Sequence, residues 1–213
     1  MAYWVRMPWW LRKLLPSELI WRMPETDKPA VYLTFDDGPH PMITPFVLEQ
    51  LRQYDAKGSF FCIGKNVAAN PEVYGQILAA GHTAGNHTQN HRNGWKTKTK
   101  DYLGNVMQAA EYIDSRAFRP PYGRITRMQA HMLSRANPAW KIYMWDVLSA
   151  DFDQNITPGK CLENVLFNLR PGSIVVFHDS EKAWDRMSFA LPRVLAFCKE
   201  KGWEMKGLDE VKK

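Results

Sequence analysis

The chain has 213 residues, 45% hydrophobic and 13% aromatic, with a formal net charge of +6 and a pI of about 9.2; that is material for one cored domain and argues against disorder. Its Lys and Arg are scattered rather than gathered on a basic helix interleaved with aromatics, which reads as a solvated surface and makes nucleic acid an unexpected partner. The three cysteines, Cys62, Cys161 and Cys198, form no CxxC pair, so neither a disulfide framework nor a Cys-based zinc site is expected, and a reducing compartment suits them.

Residues 1–29 are expected to form a Trp-rich arm. Arg6, Arg12 and Lys13 are mixed among its apolar residues, and Pro8 and Pro16 interrupt it. It is too short and too charged to span a bilayer, and it lacks the apolar run and cleavage site of a signal peptide. The expected location is therefore cytoplasmic. Packing of the Trp residues on the domain is the expected role, because an uninterrupted amphipathic helix is missing. A peripheral membrane contact, favoured by Trp beside Lys and Arg, is the alternative.

From residue 30 to 213 the pattern is that of one domain. Strand-like runs alternate with helix-like segments, the βαβ signature. Strands are expected at 30–35, 59–63, 82–84, 117–119, 141–145, 173–177 and 203–206, and helices at 43–54, 71–80, 99–115, 124–136, 157–169 and 187–201. Asn70 followed by Pro71 suits a helix start, and Gly81 and Gly202 suit positions just past helix ends. In the last helix Leu191, Val194, Leu195 and Cys198 recur at helical spacing, with Pro192 expected in its early part. About seven strand–helix units imply an α/β fold, a distorted (β/α) barrel of TIM-barrel type. Asp36, Asp37, His87, Arg119, Asp146 and His178 all fall at or just past strand C-terminal ends, which in such a barrel meet at one mouth.

The chemistry-bearing segments follow in order. Thr34-Phe35-Asp36-Asp37-Gly38-Pro39 places two adjacent acids between a strand and a turn. Adjacent carboxylates repel, so a cation or hydrogen-bond donors must order them; capping acids in a loop are the ordinary alternative. His87 and His91, four residues apart, can reach one face of a helical turn, and with one carboxylate such as Asp37 they would make a zinc site with open positions. A lone His pair is more often a surface feature. His40 and His131 are read as loop or surface residues, and His82 as a strand residue. In Arg119-Pro120-Pro121-Tyr122-Gly123 a stiff turn follows a strand. Arg119 could hold a carboxylate bidentately, and the turn could present a backbone N–H to an oxyanion; an ion-paired structural turn is the alternative. His178, at the end of a β-branched strand, could serve as a general acid, with its pKa raised by a carboxylate such as Asp151.

TFDDGP, HTQNH, RPPYG, the Asp151 segment and the strand ending in His178, in that order over roughly residues 30–206, resemble the NodB-homology polysaccharide deacetylases, carbohydrate esterase family 4. The resemblance implies a metal-dependent hydrolase that removes N-acetyl groups from N-acetylglucosamine-containing glycans of the chitooligosaccharide or peptidoglycan type. It implies Asp37, His87 and His91 as ligands of Zn2+, or of another transition metal such as Co2+. Asp36 is implied as general base and Arg119 as the residue that orients it. The Tyr122 N–H is implied as oxyanion donor, His178 as general acid and Asp151 as its support. Pro121, Tyr122, Trp95 and Phe152 are the expected substrate contacts, with capping of the barrel mouth as the other role open to Trp95. The chain departs from the family where Leu148 and Phe152 replace an Asp and a Trp of the fourth motif and Val176 replaces a Leu of the fifth. Those changes bear on substrate more than on reaction. The alternatives are the same metal site acting on another amide or a cyclic imide, and a non-catalytic glycan-binding protein, which would need neither base nor acid.

Overall fold

Residues 3–208 are described by a computed structural model; the outermost ends of the expected arm and domain, 1–2 and 209–213, lie outside the described residues. In chain order the elements are α1 (Trp9–Arg12), β1 (Leu19–Ile20), β2 (Ala30–Asp36), α2 (Ile43–Gln53), β3 (Gly58–Cys62), α3 (Gly64–Ala69), α4 (Pro71–Ala79), β4 (Thr83–Asn86), α5 (Thr99–Ala109), β5 (Ala117–Phe118), α6 (Arg127–Ser134), β6 (Lys141–Tyr143), β7 (Val147–Leu148), α7 (Pro158–Leu166), β8 (Ile174–His178), α8 (Trp184–Glu200) and β9 (Glu204–Met205).

β2 is buried along its whole length, and its period of two divides the core. Val31, Leu33 and Phe35 face outward into the layer between sheet and helices, with Phe60, Val175, Phe177, Leu51 and Val194. Full burial of each such side chain contributes about 1.5–3 kcal/mol. Tyr32 faces inward, where it meets Phe61, Ala117, Tyr143 and Ile174. Two and four residues further along the same inward face come Thr34 and Asp36. The inward rows of β5 and β8 likewise run on from Ala117 to Arg119 and from Ile174 to His178. Aromatic and aliphatic side chains therefore plug the lower barrel, and polar ones replace them at the C-terminal mouth.

The strands pair in parallel, in the order β1-β6-β5-β4-β3-β2-β8-β7, with β9 also on β2. β6 and β7 are close in sequence yet lie towards opposite ends of that order, so the sheet must curl. The strand expected at 141–145 is accordingly shorter: Tyr143 still pairs with β1, whereas the Asp146 N–H already donates to the Ile174 carbonyl next to β8. This is a distorted (β/α) barrel with a seam.

Residues 3–23 run along that seam. The Leu148 N–H donates to the Val5 carbonyl at 2.8 Å on one side, β1 pairs with β6 on the other, and Arg22 bridges Ser173 beside β8. The buried Asp146 is met by Arg12 at 2.6 Å, by Arg170 at 3.2 Å and by Arg6 at 3.8 Å. The expected packing of the arm through its Trp residues is corrected in part. Trp21 is buried, but Trp4, Trp9 and Trp10 are 58%, 70% and 53% exposed, and the arm is held mainly by backbone pairing and arginines.

Other differences are local. Asn70 precedes α4 but makes no side-chain cap; its amide donates to the Asn66 carbonyl instead. α8 begins at Trp184, directly after the 3-10 turn Glu181–Ala183, so Pro192 lies mid-helix rather than early. α3, absent from the expected helices, fills the turn after β3. Gly81 and Gly202 take positive φ, 71° and 65°, past helix ends as expected. No helix among the described residues is long and apolar enough to cross a membrane.

Candidate active site

The loops that leave β2, β4, β5, β7 and β8 carry the candidate residues, and they carry unusual backbone. Asp37, Thr88, His91, Tyr122 and Ala150 take φ values of 82°, 64°, 53°, 61° and 60°. Such left-handed conformations cost non-glycine residues about 1–3 kcal/mol each and persist where the surroundings over-determine them. Their gathering at the mouth marks loops shaped for something other than stability.

Asp37, His87 and His91 converge, with one ligand atom from each lying within 4.8 Å of the others. His91 Nε2 stands 3.2 Å and His87 Nε2 3.7 Å from Asp37 Oδ1. Donor atoms on a tetrahedron of ~2 Å radius are about 3.3 Å apart, so this clustering suits a shared metal ion. Asp37 Oδ1 is buried without a hydrogen-bond partner. Such a carboxylate oxygen is costly to bury unless something positive meets it. His87 Nδ1 lies 2.8 Å from the Arg119 carbonyl. A carbonyl only accepts, so Nδ1 carries the hydrogen and Nε2 is free to ligate. Burial lowers the His87 pKa to about 3 and also depresses that of His91. Both are therefore neutral, as a ligand must be. The histidines reach the cluster from an irregular loop after β4, not from the helical turn expected of their spacing. The positive φ of Thr88 and His91 bends that loop back on itself.

Beside the cluster, Asp36 Oδ1 accepts from Arg119 Nη1 at 2.7 Å. The expected bidentate grip is absent. The same Nη1 also donates to the Thr34 hydroxyl at 2.6 Å, while Nη2 donates to the Met144 carbonyl at 2.9 Å and Nε to the Tyr143 carbonyl at 3.3 Å, with the Phe61 ring 4.1 Å from the guanidinium carbon. Burial depresses the Arg119 pKa, and Asp36 opposes that. One carboxylate oxygen of Asp36 is thus committed, and the inward row of β2 aims its head into the mouth.

Asp36 and His178 are register partners on β2 and β8. His178 Nδ1 is 2.7 Å from Asp151 Oδ1, and the His178 N–H donates to Asp151 Oδ2 at 2.7 Å. Burial alone would lower the His178 pKa, but Asp151, with Asp37 and Asp36 beyond, outweighs it and raises the pKa to about 10. Phe152 lies edge-on to His178 at 5.4 Å, and Tyr122 lies 4.5 Å from His91. Pro121 is buried at the start of the turn that carries Tyr122. Trp95 is 63% exposed; its indole N–H donates to the Ile125 carbonyl and Arg124 stacks on its ring, and these contacts do not reach the cluster.

Asp146, grouped with these residues by its place after a strand, is not among them; it serves the arm. Two residues that sequence reasoning gave no role stand in the support of the site. Thr34 links Arg119 to the Val175 carbonyl. Asp179 accepts from the Gly38 N–H and from the Thr44 hydroxyl, tying the Asp36-Asp37 loop to the end of β8. Burial raises the Asp179 pKa to about 7, and the hydrogen bond from Thr44 counters it. For Thr34 the signal was present: it shares the inward row with Asp36. For Asp179 it was only adjacency to His178.

Comparison with known proteins bears on this geometry. The family described as polysaccharide deacetylase matches residues 24–137. Two proteins of Bacillus cereus, each a peptidoglycan-N-acetylglucosamine deacetylase, are similar. One is 30% identical over 94% of this chain and 96% of its own length, the other 32% identical over 83% of this chain and 66% of its own length. A chitooligosaccharide deacetylase of Bradyrhizobium is 36% identical over 70% of each chain. A solved peptidoglycan N-acetylglucosamine deacetylase superposes with a TM-score of 0.83 at 28% identity, covering 95% of both chains.

Proposed function

The chain belongs to the polysaccharide deacetylase family, and from that premise we propose that it is a metal-dependent hydrolase that removes N-acetyl groups from N-acetylglucosamine-containing glycans. The observation that carries the reading is the convergence at one mouth of a three-donor cluster, a carboxylate fixed by a buried arginine and a protonated imidazole. A glycan-binding role alone would require neither of the last two.

Asp37, His87 and His91 are the ligands. Zn2+, or a similar ion such as Co2+, would supply polarisation of the acetamide carbonyl and a water of lowered pKa. Asp36, positioned through Arg119, takes a proton from the attacking water as its oxygen bonds to the carbonyl carbon. The Tyr122 N–H donates to the developing oxyanion. His178, kept protonated by Asp151, gives its proton to the sugar nitrogen as the C–N bond breaks. Acetate and a free amine result. Tyr122 and Pro121 line one side of the substrate and Phe152 the other, with Trp95 further out.

The test is acetate release from N-acetylglucosamine oligomers by zinc-loaded protein, beside the same protein in chelator. Release should vanish in chelator and fall by about 100-fold or more in Asp36→Asn. His87→Ala should lose stoichiometric zinc by elemental analysis. Release that survives chelation would remove the metal from the reaction. Zinc-loaded protein that binds these oligomers but releases no acetate would instead favour a binding role.

A further inference from the structure

Phe152 stands between the imidazole of His178 and the N-terminal arm. The Tyr3 ring meets the Phe152 ring edge-on, with centroids 5.5 Å apart and planes at 68°. The Tyr3 hydroxyl donates to Asp153 Oδ2 at 2.8 Å. Val5, two residues on, accepts the Leu148 N–H, and Arg6 and Arg12 reach Asp146. The arm is thus fastened at three points to residues 146–153, the segment that also supplies Asp151 to His178. Tyr3, Phe152 and His178 are all only partly buried, and successive ring centroids in the row lie 5.5 and 5.4 Å apart. Lys182 holds its ammonium 5.8 Å from the middle ring.

Small-molecule sites combine aromatic surface with a few placed polar groups. A sugar offers the matching surface, an apolar ring face bordered by hydroxyls. The row begins at the proposed proton donor and runs on to the arm. A glycan with its acetamide at the cluster would lay a neighbouring unit along it.

We propose that Tyr3 is a specificity-determining residue: the arm forms the outer wall of the substrate groove, and Tyr3, braced by Asp153, continues the aromatic surface of Phe152 to receive a sugar unit next to the one being deacetylated. The proposal rests on the deacetylase reading above. It gives the arm a place in substrate binding as well as in closing the seam. An oligomer that carries a unit beyond the one being deacetylated reaches Tyr3, whereas a single N-acetylglucosamine unit does not.

The experiment compares parent, Tyr3→Ala and Tyr3→Phe on N-acetylglucosamine oligomers of increasing length, with calorimetric titration of the same oligomers into zinc-free protein. In Tyr3→Ala, KM and the dissociation constant should rise about threefold to tenfold for the longer oligomers, the worth of one aromatic pair, with kcat and short-substrate kinetics kept. Tyr3→Phe, which retains the ring but loses the hydrogen bond to Asp153, should lie between Tyr3→Ala and the parent. Unchanged length dependence in Tyr3→Ala overturns the proposal. So does an equal loss of kcat at all lengths together with a lower melting temperature, which would mark a purely structural role. A parent that neither binds nor hydrolyses any oligomer refutes the deacetylase reading itself, and this inference with it.

Discussion

At the scale of single residues, the site rests on two buried charge pairs with different consequences. Arg119–Asp36 is enclosed by carbonyls and a hydroxyl, so removing one partner would leave the other charge unsatisfied. His178–Asp151 controls a proton. In Asp151→Asn burial is opposed only by the more distant Asp37 and Asp36, and the His178 pKa should drop from about 10. The proposed mechanism requires His178 to be protonated, so activity should then be lost as pH rises through this lower value. The alkaline limb of kcat/KM should move down by more than about one pH unit; an unmoved limb would detach Asp151 from the proton on His178. The principal residues of both pairs were legible because Asp36, Arg119 and His178 are chemically unusual at strand ends. The bidentate grip was misjudged, since sequence cannot reveal that Thr34 and two carbonyls compete for the same guanidinium.

Elements decide where those residues point. β2 was read almost to its ends, because seven buried residues between turn signals admit few alternatives. The HxxxH spacing misled, since four residues separate side chains on a helix face and also across a loop with two positive φ values. Left-handed backbone leaves no trace in residue type at Tyr122 and only a weak one at Asp37 and His91, because glycine is the residue that advertises it strongly. Gly123 does advertise it, with a φ of 65°, and a Cβ there would run into the Trp145 ring. Gly123→Ala should therefore destabilise the protein by about 1–3 kcal/mol in denaturant titration. It should also cut activity by displacing Tyr122. Full stability in this variant would contradict the described turn.

For the whole molecule, the parallel order of strands followed from the alternation of strands and helices, but the seam did not. Nothing in Leu19–Ile20 or Val5 announces a pairing with strands more than a hundred residues away. Asp146 is the visible anchor. Burial opposes its charge, yet hydrogen bonds from Arg170, Arg12 and Ser173 prevail and hold its carboxyl below the usual range. A depressed folded pKa means stability present above the unfolded value near 4 and lost as pH falls through the folded one. Asp146→Ala should thus cost about 3 kcal/mol at neutral pH, discounted for the partial exposure of Arg6 and Arg170. The gap from the parent should close in acid, as urea titrations at several pH values would show.

The register that sets Asp36 beside His178 also carries a kinetic meaning. The proposed base and acid sit on adjacent strands whose pairing closes a loop of roughly two thirds of the chain. Contacts so distant in sequence are slow to form, because loop-closure entropy opposes them before packing rewards them. Neither half of the chain can hold both groups at working separation. Recovery of catalysis after dilution from denaturant would then clock the meeting of β2 with β8, while recovery of helical signal would clock only the local elements.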